Sequence, residues 1–398
     1  MRTVTDVERR ARLGLRHGLA MPASDAETAT RQMTVLHATE AASVYLSLWA
    51  RVKGIKQGDI DHALYEARSL VKQLAMRRTL FVFPRENLPA AWGSASARVA
   101  EMYRVQLTKE AEGAGLTDDG AAWLRKCERA VTRRLAGGES LSTSQLRQEL
   151  PALAGKIVMS PGKKYGGEFP IAPRVLTWLG ARAKVTRAQN QGNWRINRPL
   201  WASTEAWLGE VPAPLSAREG YAQLVGSWLR TFGPGTIDDI RWWLGATVTI
   251  VKQALADNRA VEVTLESGQI AWLLPDDLDP VAMPDNWGAL LPVLDPTVMG
   301  WTGRDWYLGD LRSQLFDTAG NAGTTIWWNG QVHGCWVQDQ EGRVRLSFLT
   351  DPGKRARRVL ETYADELTAW VDSARVQAVY STPAMKAALL QGGIRGQA

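Results

Sequence analysis

The residues with the best claim to chemistry lie close together near the N-terminus, in the run Leu36-His37-Ala38-Thr39-Glu40. An imidazole has an ordinary pKa of about 6.5, so His37 can take or give a proton near neutrality. A threonine hydroxyl both donates and accepts, so Thr39 can hold a water molecule. Glu40 lies three residues beyond His37 and reaches the imidazole only along a continuous helix. The competing reading makes His37 a packed residue and Thr39 a helix N-cap.

Other chemistries lack their usual residues. Four scattered histidines and two cysteines, Cys127 and Cys335, supply neither a disulfide framework nor a conventional metal cluster. Gly166-Gly167-Glu168-Phe169 resembles a nucleotide-cyclase signature one acid short, and Pro170 and Pro173 follow at once. His37-x-x-Glu40 lacks the Pro-Cys-x-x-Cys partner of a zinc deaminase. No phosphate-binding loop, dinucleotide fingerprint or His-Glu-x-x-His occurs, so no metal and no cofactor is expected.

The elements that must position these residues are read from periodicity. Residues 4–18 suit a helix, 21–28 a loop, and Thr30 to Val52 a helical stripe. That stripe is one long helix, or two that break at His37–Thr39 with Thr39 as the second cap. A further helical stripe runs from Ala63 to Leu74, and Arg78 to Phe83 has strand composition stopped by Pro84. Helices follow from Glu86 to Leu135.

Two later segments share a pattern. Ser142 with Gln145 forms a capping box, and Pro170 to Leu179 suits a second helix. Strands are expected at Lys184–Arg187 and Trp194–Asn197, around the turn 190–193. Thr236 with Asp239 caps Ile237–Leu244, Gly245 ends that helix, and Thr247–Ala256 makes another. Ala260–Leu265 and Gln269–Leu274 then form a hairpin around Ser267-Gly268. Helix, turn, helix and hairpin make a winged helix. The first 84 residues fit a looser copy ending in one strand, so three copies are expected. After Pro284, tryptophans and glycines alternate with short strands, the composition of a small antiparallel sheet or barrel, and Lys354–Val371 reads as a helix.

A chain of 398 residues, 45% hydrophobic and 22% charged, can bury several cores. It has no apolar run long enough to span a membrane and no signal-peptide core, so a soluble, cytoplasmic protein is expected. Its net charge of +7 is concentrated. Residues 151–200 hold nine basic residues (Lys156, Lys163, Lys164, Arg174, Arg182, Lys184, Arg187, Arg195, Arg198) against Glu168 alone, a local excess of eight. Basic side chains on a winged helix gain counterion-release entropy on duplex DNA. Tyr165 and Trp194 interleave with them and suit stacking on a base or sugar. All of these except Lys156 and Trp194 are taken as DNA-contacting positions. A solvated basic surface is the plainer reading.

Several motifs, in order, resemble the winged-helix DNA glycosylases of the AlkZ and YcaQ type. They are Leu36-His37-Ala38-Thr39 followed by Tyr45 to Arg51, and Met76-Arg77-Arg78-Thr79-Leu80. Phe232 to Asp239 follows, with Trp242-Trp243-Leu244-Gly245, then Leu290 to Pro296 and Gly300 to Arg304. The resemblance runs from about residue 10 to 372. It implies an α+β fold of tandem winged helices forming a concave DNA channel closed by a β-barrel. It also implies excision of alkylated purines, with genotoxin crosslinks among the family's substrates. The family's catalytic signature, Gln-apolar-Gln or Gln-apolar-Asp, falls on His37, Ala38 and Thr39, a departure in both polar positions.

The expected organisation is a helical region with a first winged helix over 1–135 and a basic second winged helix over 136–210. A third follows over 211–283, then a barrel with terminal helix over 284–375 and a tail from 376 to 398. The expected activity is that of a monomeric, monofunctional glycosylase on double-stranded DNA, with His37, Thr39 and Glu40 at the reaction. The alternative is a winged-helix DNA binder, a regulator or lesion sensor, without catalysis. A third reading is an interaction protein whose basic segment meets an acidic partner.

Overall fold

Thr34 decides how the first part of the chain folds. In the computed structural model, which describes residues 2–159, 166–210, 212–372, 374–376 and 380–391, Thr34 has a left-handed backbone with φ 64°. The helix Ala26–Gln32 therefore stops, although the apolar spacing continues. Thr34 Oγ1 lies 3.0 Å from the Ser227 carbonyl and 2.8 Å from Thr231 Oγ1, so a distant helix holds it there. The chain then runs extended through Leu36–His37 and pairs antiparallel with Leu80–Pro84, His37 opposite Phe81. A new helix, Ala41–Trp49, takes Glu40 as its N-cap without a side-chain cap bond. The single-helix reading of 30–52 and the Thr39 cap are both corrected. The two-helix alternative has its break in the right place.

Leu70–Leu74 needs a second correction. The helix Gln57–Asp61 widens into a π-type turn, His62–Glu66, and Arg68 at φ 55° ends it. Leu70–Leu74 is instead a strand paired antiparallel with Leu80–Pro84. Its residues 70 to 73 are all buried, and a strand covered on both faces shows no alternation to distinguish it from a helix.

One order of elements recurs. In residues 26–84 a helix, a short strand, two helices and a hairpin give a sheet whose strands lie in the order first, third, second. The same order appears with Gly120–Leu135, Leu141–Ser142, Thr143–Glu149, Ala172–Ala181, Val185–Asn190 and Pro199–Ser203. A two-stranded hairpin, Lys156–Met159 with Gly167–Pro170, is inserted between its second and third helices. A third round uses Ala217–Phe232, Ile237–Leu244, Val248–Asp257, Val261–Leu265 and Ile270–Leu273. There the short first strand is reduced to a bridge between Gly235 and Trp272, and Thr3–Val4 adds a parallel strand at the other edge.

Local sequence explains the third round well. Thr236 and Asp239 make a reciprocal capping box, and Gly245 takes the left-handed conformation that ends the helix. In the second round the hairpin strands differ from expectation. They are Val185–Asn190 and Pro199–Ser203, so Trp194 and Asn197 belong to the connecting loop. Asn190 closes that loop, its Oδ1 accepting from the Arg198 amide at 2.7 Å.

Residues 288–348 form four antiparallel strands in linear order: Gly288–Leu291, Thr325–Trp328, Gln331–Gln338 and Val344–Phe348. Among the described residues this sheet is open, not a closed barrel, and the helix Lys354–Val371 packs on it through Leu360, Ala364 and Leu367. The first round is locked to this region by Arg51, whose Nη1 and Nη2 reach Asp295 at 2.9 and 2.7 Å with both side chains fully buried. Ser47 and the Thr297 amide also bind that carboxylate, so its lone pairs are occupied. Removing one partner of such a pair typically costs ~3–5 kcal/mol. No helix among the described residues is long and apolar enough to cross a membrane.

Candidate active site

His37 sits at the end of its short strand, where the Ala38 amide donates to the Leu80 carbonyl at 2.9 Å. The ring meets Phe81 edge-on at 5.3 Å, is only 7% exposed, and carries a buried Nδ1 without a partner. Burial, then the charge of Arg77, pushes the imidazole pKa down to about 3, although Asp295 opposes them. His37 is therefore neutral at physiological pH, with one ring nitrogen able to accept a hydrogen bond.

Thr39 is half-buried, and its carbonyl accepts from Asn197 Nδ2 at 3.3 Å. Glu40 is buried and accepts from the Tyr380 amide at 3.3 Å. Since the backbone from 36 to 40 is not helical, the route by which Glu40 was to orient His37 is absent. The strand ends at His37, and Thr39 follows in a bend two residues on.

Asn197 belongs to the loop 191–198, which bridges three parts of the molecule beside this segment. Trp194 packs against Tyr45 at 5.5 Å and against Trp370 at 5.6 Å, and Arg195 donates to the Arg375 carbonyl. Trp194 is thus a packing residue between Tyr45 and Trp370 and not a free stacking surface.

The basic residues of 151–200 divide into groups. Lys163, Lys164 and Tyr165 lie outside the described residues. Arg174 pairs with Glu110 at 2.8 Å, and Arg182 pairs with Glu128 and lies 4.9 Å over Trp178. Arg187 is stacked on Trp201, and burial pushes its pKa down to about 10. Lys184 and Arg198 are exposed. The segment therefore offers fewer uncompensated charges than its composition suggests.

Three residues next to the site carried no assigned role in the sequence. Arg77 and Arg304 both stack on Trp242, at 3.9 and 4.8 Å from the ring centroid. They come from three separate stretches, so no local pattern links them. Among the described residues no three or more His, Cys, Asp or Glu side chains gather as a metal site. Both cysteines are buried, which pushes their thiols up to about 12.

His37 closes a short strand and Thr39 follows it in a bend, and a family model matches over a span that includes both. The model of the AlkZ-like DNA glycosylases covers residues 30–370. The chain belongs to the AlkZ-like DNA glycosylase family. Its structure is also similar to that of the Streptomyces sahachiroi DNA glycosylase AlkZ. The TM-score is 0.72 at 17% identity, with 93% of this chain and 98% of that one covered. That likeness shows the mixed α+β fold. Among curated proteins, none matches the chain in sequence. The family assigns the chain to DNA repair by base excision and makes DNA its partner.

Proposed function

We propose that the chain is a monofunctional DNA glycosylase that hydrolyses the N-glycosidic bond of purines alkylated at N7 or N3, genotoxin adducts and crosslinks included. The observation that carries this reading is a neutral His37 at the family's signature position, two residues before Thr39. Alkylation makes the base cationic, so it leaves as a neutral purine with the electron pair of the C1′–N bond. The sugar becomes an oxocarbenium-like cation, and water attacks C1′.

A protonated imidazole beside that cation would oppose it, whereas a neutral one accepts a hydrogen bond from the water. His37 orients the water by accepting its hydrogen bond, Thr39 Oγ1 holds it, and the proton passes to solvent as the C1′–O bond forms. Positioning of the attacking water in this way is worth on the order of 100-fold. Glu40 then acts in the backbone turn that carries Thr39 and not on the imidazole.

The three recurrent element orders are read as winged helices spanning 1–135, 136–210 and 211–283. The four-stranded sheet with its helix, over 284–375, is read as the barrel-like wall of a DNA channel. The chain works as a monomer on duplex DNA without metal or cofactor. Lys184 and Arg198, both exposed, are the best-suited phosphate contacts among the described residues, and Lys163, Lys164 and Tyr165 are kept as contacts on residue type alone. Arg174, Arg182, Arg187 and Arg195 serve by shaping the surface. The test is base release from a duplex with one N7-methylguanine. Wild type releases the base, and H37A is expected to be about 100-fold slower at unchanged duplex affinity. Duplex binding without release by wild type would favour the DNA-binder reading.

A further inference from the structure

Arg77 lies at the tip of the hairpin formed by Leu70–Leu74 and Leu80–Pro84. Arg77 and Arg78 both have left-handed backbones, with φ 53° and 58°, in a turn where glycine would be the unstrained choice. Strain of this kind persists where surrounding structure and function require the side chain. The tip rests on the end of the helix Ile237–Leu244, and a Cβ on Gly245 would lie 3.2 Å from the Arg77 amide nitrogen.

Arg77 has no carboxylate partner among the described residues, and burial and the like charge of Arg304 both lower its pKa. Arg304 is 3% exposed and bonds the Val298 carbonyl at 3.2 Å. The adjacent acid, Asp239, is already committed to the amides of Thr302 and Gly303, at 2.9 and 3.0 Å. Two guanidiniums on one indole, without an anion between them, make an incomplete arrangement. Trp242 is half-buried, as is Arg77, and Arg78 beside it is exposed, so the stack has an open side.

We infer that the Arg77–Trp242–Arg304 stack is an anion site that takes a phosphodiester, holding the backbone of the target nucleotide beside His37. The guanidinium of Arg77 offers a planar fork suited to two phosphate oxygens, and buried Arg304 adds positive charge on the same indole. The inference deepens the glycosylase reading and rests on it for the source of the phosphate. Arg77 is thus a substrate-binding residue and takes no part in the bond-breaking step. Its charge helps keep His37 neutral in the free protein, and a bound phosphate would offset that charge when substrate is present.

The test uses the full-length chain, with R77Q and the charge-conserving R77K. Thermal unfolding is followed while inorganic phosphate replaces chloride at constant ionic strength, and duplex affinity is measured across salt concentrations. Phosphate is expected to raise the midpoint of wild type, raise that of R77K less, and leave R77Q unchanged. The slope of log affinity against log salt is expected to fall in R77Q by about 0.9, the value for one lost phosphate contact. Equal phosphate stabilisation and equal slopes in wild type and R77Q would overturn the site. Arg77-dependent phosphate binding with no duplex binding by wild type would keep the anion site and remove DNA as its source.

Discussion

Acidification from pH 7 to pH 5 should destabilise this protein through two buried histidines, long before its carboxylates respond. His37 and His17 are each pushed down to about 3 from an ordinary 6.5, mainly by burial. His17 is fully buried, with Nδ1 2.9 Å from Thr297 Oγ1 and Nε2 3.2 Å from the Thr231 carbonyl. In the unfolded chain both rings bind a proton as pH falls through 6.5, while in the folded chain they stay neutral to about 3. The unfolded state thus binds more protons across this window. Their contribution to stability is complete above pH 6.5 and is lost progressively as pH falls towards 3.

Between pH 7 and pH 5 the linkage integral gives about 2 kcal/mol for each histidine, hence ~4 kcal/mol together. That is a large fraction of an ordinary stability of ~5–15 kcal/mol. His333, lowered in the same direction by burial, adds to the loss. Urea unfolding at pH 7, 6 and 5 measures it, and H37N should remove about half of the drop. A midpoint that stays constant from pH 7 to 5, or an unchanged drop in H37N, would refute the argument.

Other consequences follow from the same contacts. With His37 neutral, base release per bound duplex should be flat from about pH 5.5 to 8. A kinetic inflection near 6.5 would mean an imidazole less shielded than its surroundings imply. D295A leaves Arg51 buried without its anion and should cost ~3–5 kcal/mol in denaturant unfolding, whereas the volume-matched pair R51M/D295L should cost much less. A G93A side chain would meet the Leu215 carbonyl oxygen at 1.9 Å, so ~1–3 kcal/mol should be lost in thermal unfolding, and a silent substitution would contradict that packing.

Where the fold could be read in advance, the signal was local. The capping box of Thr236 and Asp239, the terminating Gly245 and the turn at Ser267-Gly268 are each set by residues within a few positions. The first repeat was misread because its decisive contacts are remote. Thr34 is held in its left-handed conformation by a helix almost two hundred residues away, so residue pattern alone left one helix and two broken at 37–39 as alternatives. Leu70–Leu74 is buried on both faces, so its period is hidden.

The candidate site follows the same rule. His37 and Thr39 could be singled out by residue type, but the protonation state of His37 depends on Phe81, Arg77 and Asp295, which only the sheet and the Arg51 lock bring near. The basic segment was legible as composition. Its neutralisation by Glu110 and Glu128 was not, because those acids lie on helices more than fifty residues earlier.

A neutral hydrogen-bond acceptor at position 37 directs water to the sugar. Single-turnover release of N7-methylguanine by wild type, H37A and H37Q, with duplex affinity measured on the same samples, tests it most directly. H37A is expected to be about 100-fold slower, and H37Q, whose amide oxygen also accepts, to stay within about 10-fold of wild type. Full activity in H37A with the fold intact would contradict it.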